Sequence, residues 1–160
     1  MKDSKGITHL KVCLTSEQCA YIAGFVDGEG SIGFNKVSCP HGRRKYSYAG
    51  RLIIVNTDRE VLEWMIAVVG FGSIQTRHHP NHNWKTTYQL TWGARQLRAV
   101  LPLLMPYLKV RRRQAEIVWA YLQRQYISGL KLGLSSQEWD IREKMVADNR
   151  WLNIRGKIEV

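Results

Sequence analysis

Cysteine is scarce in this chain: Cys13, Cys19 and Cys39 are the only three in 160 residues. An odd number without paired CxxC spacing excludes a disulfide framework and predicts an intracellular, reducing compartment, whether cytoplasm, nucleoid or organelle matrix. Long apolar runs are missing, and the first thirty residues lack a signal-peptide pattern, so no membrane partner or secretory leader is expected. Nor is there a long basic amphipathic helix to lie on a membrane surface. The most telling absence is of negative charge. Residues 30–57 and 64–115 contain no Asp or Glu, and the acids cluster instead in 58–63 and after 115.

Those two gaps hold Lys36, Arg43, Arg44, Lys45 and Arg51, then Arg77, Lys85, Arg95, Arg98, Lys109 and Arg111 to Arg113, within a net charge of +11. A sheet-rich segment stripped of acids reads as a phosphate-binding surface. A generally basic surface kept for solubility is the alternative. His41, His78, His79 and His82 fall in turn-rich segments without the paired Cys/His spacing of a zinc site, so structural zinc is not expected. The scattered tryptophans suit core or interface packing better than base stacking.

A hydrophobic content of 44% over 160 residues fits one folded domain spanning 1–160, with a core at about 15–127 and a helical extension at about 128–160. Thr15 and Gln18 form a capping box that opens a helix over about 16–27. Residues 31–37 and 46–55 alternate as two strands of a hairpin around a basic loop. Asn56-Thr57-Asp58 caps a second helix, which Gly70-Phe71-Gly72 ends. A second hairpin covers 73–78 and 84–92. Helices follow from about Ala94, where Pro102 and Pro106 limit or kink the run, and from about Arg111 to Gln125. Ser135 and Glu138 open a last helix. Helix, hairpin, helix, hairpin, helices is the order of an α+β domain with an antiparallel sheet.

Residues 21–30, Tyr-Ile-Ala-Gly-Phe-Val-Asp-Gly-Glu-Gly, carry the chemistry. Gly24 and Gly28 stand four apart, a spacing that lets a partner backbone approach closely. Gly28 and Gly30 are expected to stop the helix through glycine's left-handed freedom. Asp27 and Glu29 then lie at a helix C-terminus, beside unpaired carbonyls and the negative end of the dipole. That position stabilises a helix poorly and suits a divalent cation. Two solvated acids in a turn are the alternative.

Ala23, Gly24, Phe25, Val26, Asp27, Gly28, Glu29 and Gly30 match, position by position, the motif of the LAGLIDADG homing endonucleases, which the chain resembles. Glu29 replaces the usual second Asp. The resemblance implies an αββαββα core with a concave antiparallel β-sheet as DNA-binding saddle, to which this chain adds C-terminal helices. It implies a site-specific double-strand DNA endonuclease that cuts a long, roughly palindromic target by metal-assisted hydrolysis. One motif copy implies a homodimer, with Ala23, Gly24, Asp27 and Gly28 at its interface. Mg²⁺ would be held by Glu29 and the Gly28 carbonyl, a ligand set that one chain leaves thin and two chains double.

Aligned to the family, Asn56 occupies the place of a polar residue that organises active-site water, or else serves as the helix cap. Arg111 stands where the family usually has a Lys near the scissile phosphate, or else belongs to an exposed phosphate-contacting run with Arg112 and Arg113. Arg59 is a further candidate for this basic pocket. Asp27 either takes part in catalysis or holds a helix end. Asn35, Arg51, Gln75, Arg77, Lys85 and Gln89 are the sheet residues expected to face DNA, with Arg43, Arg44 and Lys45 reaching phosphates from the loop. A non-cleaving binder on the same scaffold, either an intron maturase binding RNA or a DNA-binding regulator, is the alternative function.

Overall fold

The capping box forms as the sequence predicts. In the computed structural model, which describes residues 10–41, 44–80, 83–127 and 134–154, the Thr15 hydroxyl accepts from the Gln18 N–H at 3.2 Å and Gln18 accepts from the Thr15 N–H at 3.0 Å. They open α1 (Ser16–Glu29), whose inward face buries Cys19, Ile22, Ala23 and Val26. The expected stop at Gly28 is corrected. The helix runs through Gly28 to Glu29 and passes straight into β1 (Gly30–Ser38), with Gly30 in extended, not left-handed, backbone.

Space is what Gly30 supplies: a Cβ there would lie 2.6 Å from the Val26 carbonyl oxygen and 2.9 Å from its Cα. Gly30→Ala should therefore cost about 1–3 kcal/mol, the usual range for overpacking, read as a lowered urea midpoint. An unchanged midpoint would contradict this close approach.

β2 (Tyr46–Asn56) pairs antiparallel with β1, from Gly30 opposite Ile54 to Ser38 opposite Tyr46. α2 (Arg59–Val69) follows, capped by Asp58, whose side chain accepts from the Glu60 and Val61 N–H groups. Gly70 closes α2 in the left-handed conformation at φ 88°. β3 (Ser73–Arg77) and β4 (Thr87–Gly93) form the second hairpin. β4 starts later than the sequence suggests, because the last pair with β3 is Arg77 with Thr87 and residues 84–86 have no strand beside them. α3 (Ala94–Leu104) contains Pro102 and ends two residues after it. α4 (Arg112–Ile127) and α5 (Ser136–Ile154) complete the described chain.

The sheet order is β1-β2-β4-β3, all antiparallel. Ile32, Leu52, Ile54, Leu90 and Trp92 line one face and are fully buried against Ile22, Val26, Leu62, Met65, Leu97, Leu101, Val118 and Leu122 of the helices. Each such side chain contributes about 1.5–3 kcal/mol by leaving water, and the Trp92 indole donates to the Phe71 carbonyl at 2.9 Å. The fold is α+β, as expected, with α4 and α5 appended to the αββαββ series and α3.

α5 docks through polar and aromatic contacts. Trp139 packs against Tyr46 and Tyr48. Tyr46 donates to Glu143 at 2.6 Å, which pushes the phenol up to about 12. The Glu138 carboxylate accepts from Arg124 at 2.6 Å and from Arg142 at 2.9 Å, and these guanidiniums, Arg124 foremost, hold it below the usual carboxylate range. Among the described residues no helix is long and apolar enough to cross a membrane.

Candidate nucleic-acid interface and catalytic centre

Strand register divides the sheet residues into two faces, because side chains alternate along each strand. Opposite the helix-covered face lie Ser31, Gly33, Asn35 and Val37 of β1, paired with Ile53, Arg51, Ala49 and Ser47 of β2. Val55 pairs with Gln89, and Gln89 with Gln75; Thr87 pairs with Arg77, and Thr91 with both Ile53 and Ser73. Asn35, Arg51, Gln75, Arg77 and Gln89 therefore share this open face. No strand residue on it is acidic.

Gln89 sits low among its neighbours, 7% exposed, with its amide donating to the Thr91 hydroxyl. Lys85 is exposed but lies in the connection before β4, not on a strand. The sequence reading missed Ser31, Ser47, Ser73, Thr87 and Thr91, whose hydroxyls face the same way. The alternation around Arg51 and Gln89 was the signal that could have found them.

The basic loop is only partly as expected. Arg43 and His82 lie outside the described residues. Lys45 is exposed and donates to the Pro40 carbonyl at 3.1 Å. Arg44 is exposed, and its guanidinium lies 4.6 Å over the Trp139 ring of α5, a cation–π contact.

At the other end of β1, the Asp27 carboxylate clamps the segment between α3 and α4. One oxygen accepts from the Lys109 N–H at 2.7 Å and the other from the Arg111 N–H at 2.8 Å. Of its two sequence readings, hydrogen bonding is the one the geometry displays. The bonds go to a distant segment and not to α1's own end.

The clamp fixes Arg111 beside the end of α1, half-buried, with its Nε buried and without a hydrogen-bond partner among the described residues. Lys109 is exposed and held by the same carboxylate; the sequence reading passed over it because its clamp is a long-range contact. Glu29 ends α1, exposed, with no hydrogen bond or ion pair among the described residues.

Asn56 ends β2 two residues beyond the partner of Gly30. It is not the helix cap, a role that Asp58 fills. Its Oδ1 accepts from the Asp58 N–H at 2.8 Å, and its amide NH₂ makes no hydrogen bond among the described residues. Arg59 is paired with Glu63 at 2.7 Å and is thereby drawn along α2.

The exposed carboxylate of Glu29 and the carbonyls that end α1 beyond Val26, whose own oxygen accepts from the Gly30 N–H, are hard oxygen donors suited to Mg²⁺ or Ca²⁺. The donor chemistry fits such a cation. Among the described residues no group of three or more His, Cys, Asp or Glu could enclose one.

One stripe of α1, formed by Glu17, Ala20, Tyr21, Gly24 and Gly28, is exposed. Atoms placed at the Cβ of Gly24 or Gly28 would meet nothing within 4 Å. Ala23 corrects the expected interface set. It is fully buried in the chain's own core, because successive residues turn by about 100° and it falls on the side opposite the stripe.

A sequence model described as LAGLIDADG endonuclease matches residues 22–118. Among solved structures, the chain is similar to the homing endonuclease I-CvuI in complex with its target, at 21% identity and a TM-score of 0.72 over 86% of this chain and 82% of that one. It is similar to the archaeal intron-encoded homing endonuclease I-Vdi141I complexed with DNA, at 19% identity and a TM-score of 0.70 over 85% and 84% of the two chains. The homing endonuclease I-TnaI aligns at 17% identity with a TM-score of 0.68, over 88% of this chain and 94% of that one. No curated protein sequence matches significantly.

Proposed function

The chain belongs to the LAGLIDADG endonuclease family, and from that premise we propose that it is a site-specific double-strand DNA endonuclease, acting as a homodimer on a long, roughly palindromic target. The observation that carries this reading is the Asp27 clamp. It brings the helix end bearing Glu29 together with the segment bearing Lys109 and Arg111, at the margin of an acid-free sheet face.

A duplex laid on the open face meets Arg51 and Arg77 with Asn35, Gln75 and, deeper, Gln89. Arg can pair with guanine edges, and Gln or Asn with adenine. A two-stranded ribbon has the width of the major groove. The scissile phosphate then lies over the end of α1. Arg111 offers guanidinium donors to charge developing on its oxygens, although arginine, unlike lysine, does not act as a proton acceptor there. The Asn56 amide orients attacking water from the end of β2.

Glu29 and the Gly28 carbonyl are the residues that would hold Mg²⁺. When bound, the ion lowers the pKa of its water and stabilises the attacking and leaving oxygens. The I-CvuI complex was obtained in the presence of 2 mM Ca, an ion with the same oxygen preference. A second copy, packed through the Gly24 and Gly28 stripe, would bring a second Glu29 to the same step.

The test is in vitro selection of cleaved duplexes from a randomised library with Mg²⁺. Recovery of a long sequence with two-fold character supports the proposal. A library left intact at every Mg²⁺ concentration overturns the cleavage reading.

A further inference from the structure

We infer that α5 contributes Arg150 to a phosphate seat shared with Arg51, a DNA contact built by the C-terminal extension beyond the residues that the family model matches. The inference rests on the proposal that a DNA duplex lies on the open sheet face.

A recess of about 190 Å³ opens where α5 crosses the β1 edge, lined by Ser31, Gly33 and Arg51 of the open face and by Asn149, Arg150 and Asn153 of α5. Its position is fixed by side-chain amides. Asn153 donates to the Ile32 carbonyl on the edge strand and to the Asn149 Oδ1, each at 3.2 Å. Asn149, 1% exposed, donates to the Gln114 carbonyl of α4 at 3.3 Å. The approach of α5 depends on Gly33, because a Cβ there would stand 3.0 Å from the Asn149 Oδ1. The last turns of α5 are thus held in register against the sheet.

Two guanidiniums line this seat and no acid does. Arg51 and Arg150 are both exposed, and neither is in a hydrogen bond or ion pair among the described residues. Elsewhere on α5 the arrangement differs: Arg142 is tied to Glu138 and its neighbour Arg124. Uncompensated cations at one polar recess repel each other, and an anion placed between them relieves that repulsion. The planar fork of arginine matches phosphate oxygens, and the Ser31 hydroxyl adds a further donor. A phosphodiester of a duplex lying on the sheet is an anion of the right charge and shape, presented from the open side. The contact carries no base information and serves to set register and affinity.

The experiment measures binding of a fluorescently labelled random-sequence duplex over a potassium chloride series, for the parent, Arg150→Ala, Arg150→Lys and Lys144→Ala. Lys144 is an exposed cation of the same helix that does not line the recess. Arg150→Ala should flatten the log–log salt slope by about 0.9 per chain, the share of one neutralised phosphate, and weaken binding several-fold at low salt. Arg150→Lys should restore the slope, and Lys144→Ala should leave it parental. A parental slope for Arg150→Ala, or equal flattening by Lys144→Ala, overturns the seat while leaving the DNA-binding reading intact. A parent protein that binds no duplex at any salt concentration overturns that reading, and the seat with it.

Discussion

Glu29→Gln should abolish Mg²⁺-dependent cutting while leaving DNA binding and fold in place. The substitution keeps the side chain's size and removes its charge, and Glu29 makes no hydrogen bond or ion pair among the described residues, so no packing is lost. The urea midpoint should match the parent's. Losing one preorganised electrostatic group costs on the order of 10²- to 10³-fold in rate, and in a homodimer both copies lose it. Single-turnover cleavage with enzyme in excess reads the chemical step, and anisotropy on the same duplex reads binding. Cutting at the parental rate would remove Glu29 from the centre. Loss of binding together with cutting would mean that it acts on the complex and not on the reaction.

The second large effect is expected from Gly24→Leu, whose consequences in one chain and in two are opposite. In a single chain the added side chain meets open space, and replacing a mid-helix glycine with leucine gains up to about 1 kcal/mol of helix stability. In a pair of abutting α1 helices the same atoms would strike the partner backbone and force the helices apart. A displacement of even 1 Å at reacting groups can cost about 10²-fold in rate. The protein with Gly24→Leu should therefore be folded, at least as stable as the parent, monomeric by light scattering and inactive in cleavage. A dimer that cuts normally would exclude close packing through this stripe.

What could be read from the chain before its structure was mostly local. Thr15 and Gln18 lie three residues apart and cap each other as their spacing predicts. The alternation of β1 and β2 placed Asn35 and Arg51 on one face, because a strand's period of two carries over long runs. Readings failed where a distant segment decides. Asp27 is satisfied by backbone 82 and 84 residues away, which no spacing within the motif reveals. The contact of Arg44 with the Trp139 ring of α5, 95 positions further along, is likewise invisible in the sequence around the loop. The triplet Asn56-Thr57-Asp58 announced a cap, but only the path of the chain into α2 shows that Asp58 performs it. Ala23 was grouped with Gly24 because they are adjacent in the motif, and helical rotation separates them. Gly30 was credited with conformational freedom when its role is to make room for the Val26 carbonyl.

The most direct test mixes parent protein with the Glu29→Gln form in varying ratio and follows cleavage of a selected duplex with Mg²⁺. If every cutting centre draws one glutamate from each of two chains, total strand scission, with nicks and double-strand breaks counted together, should fall as the square of the parent fraction, to about one quarter at equal mixing, the statistics of a randomly assorted two-fold dimer. Activity falling in direct proportion to the parent fraction would mean that each chain cuts with its own carboxylate, and the shared centre would be wrong.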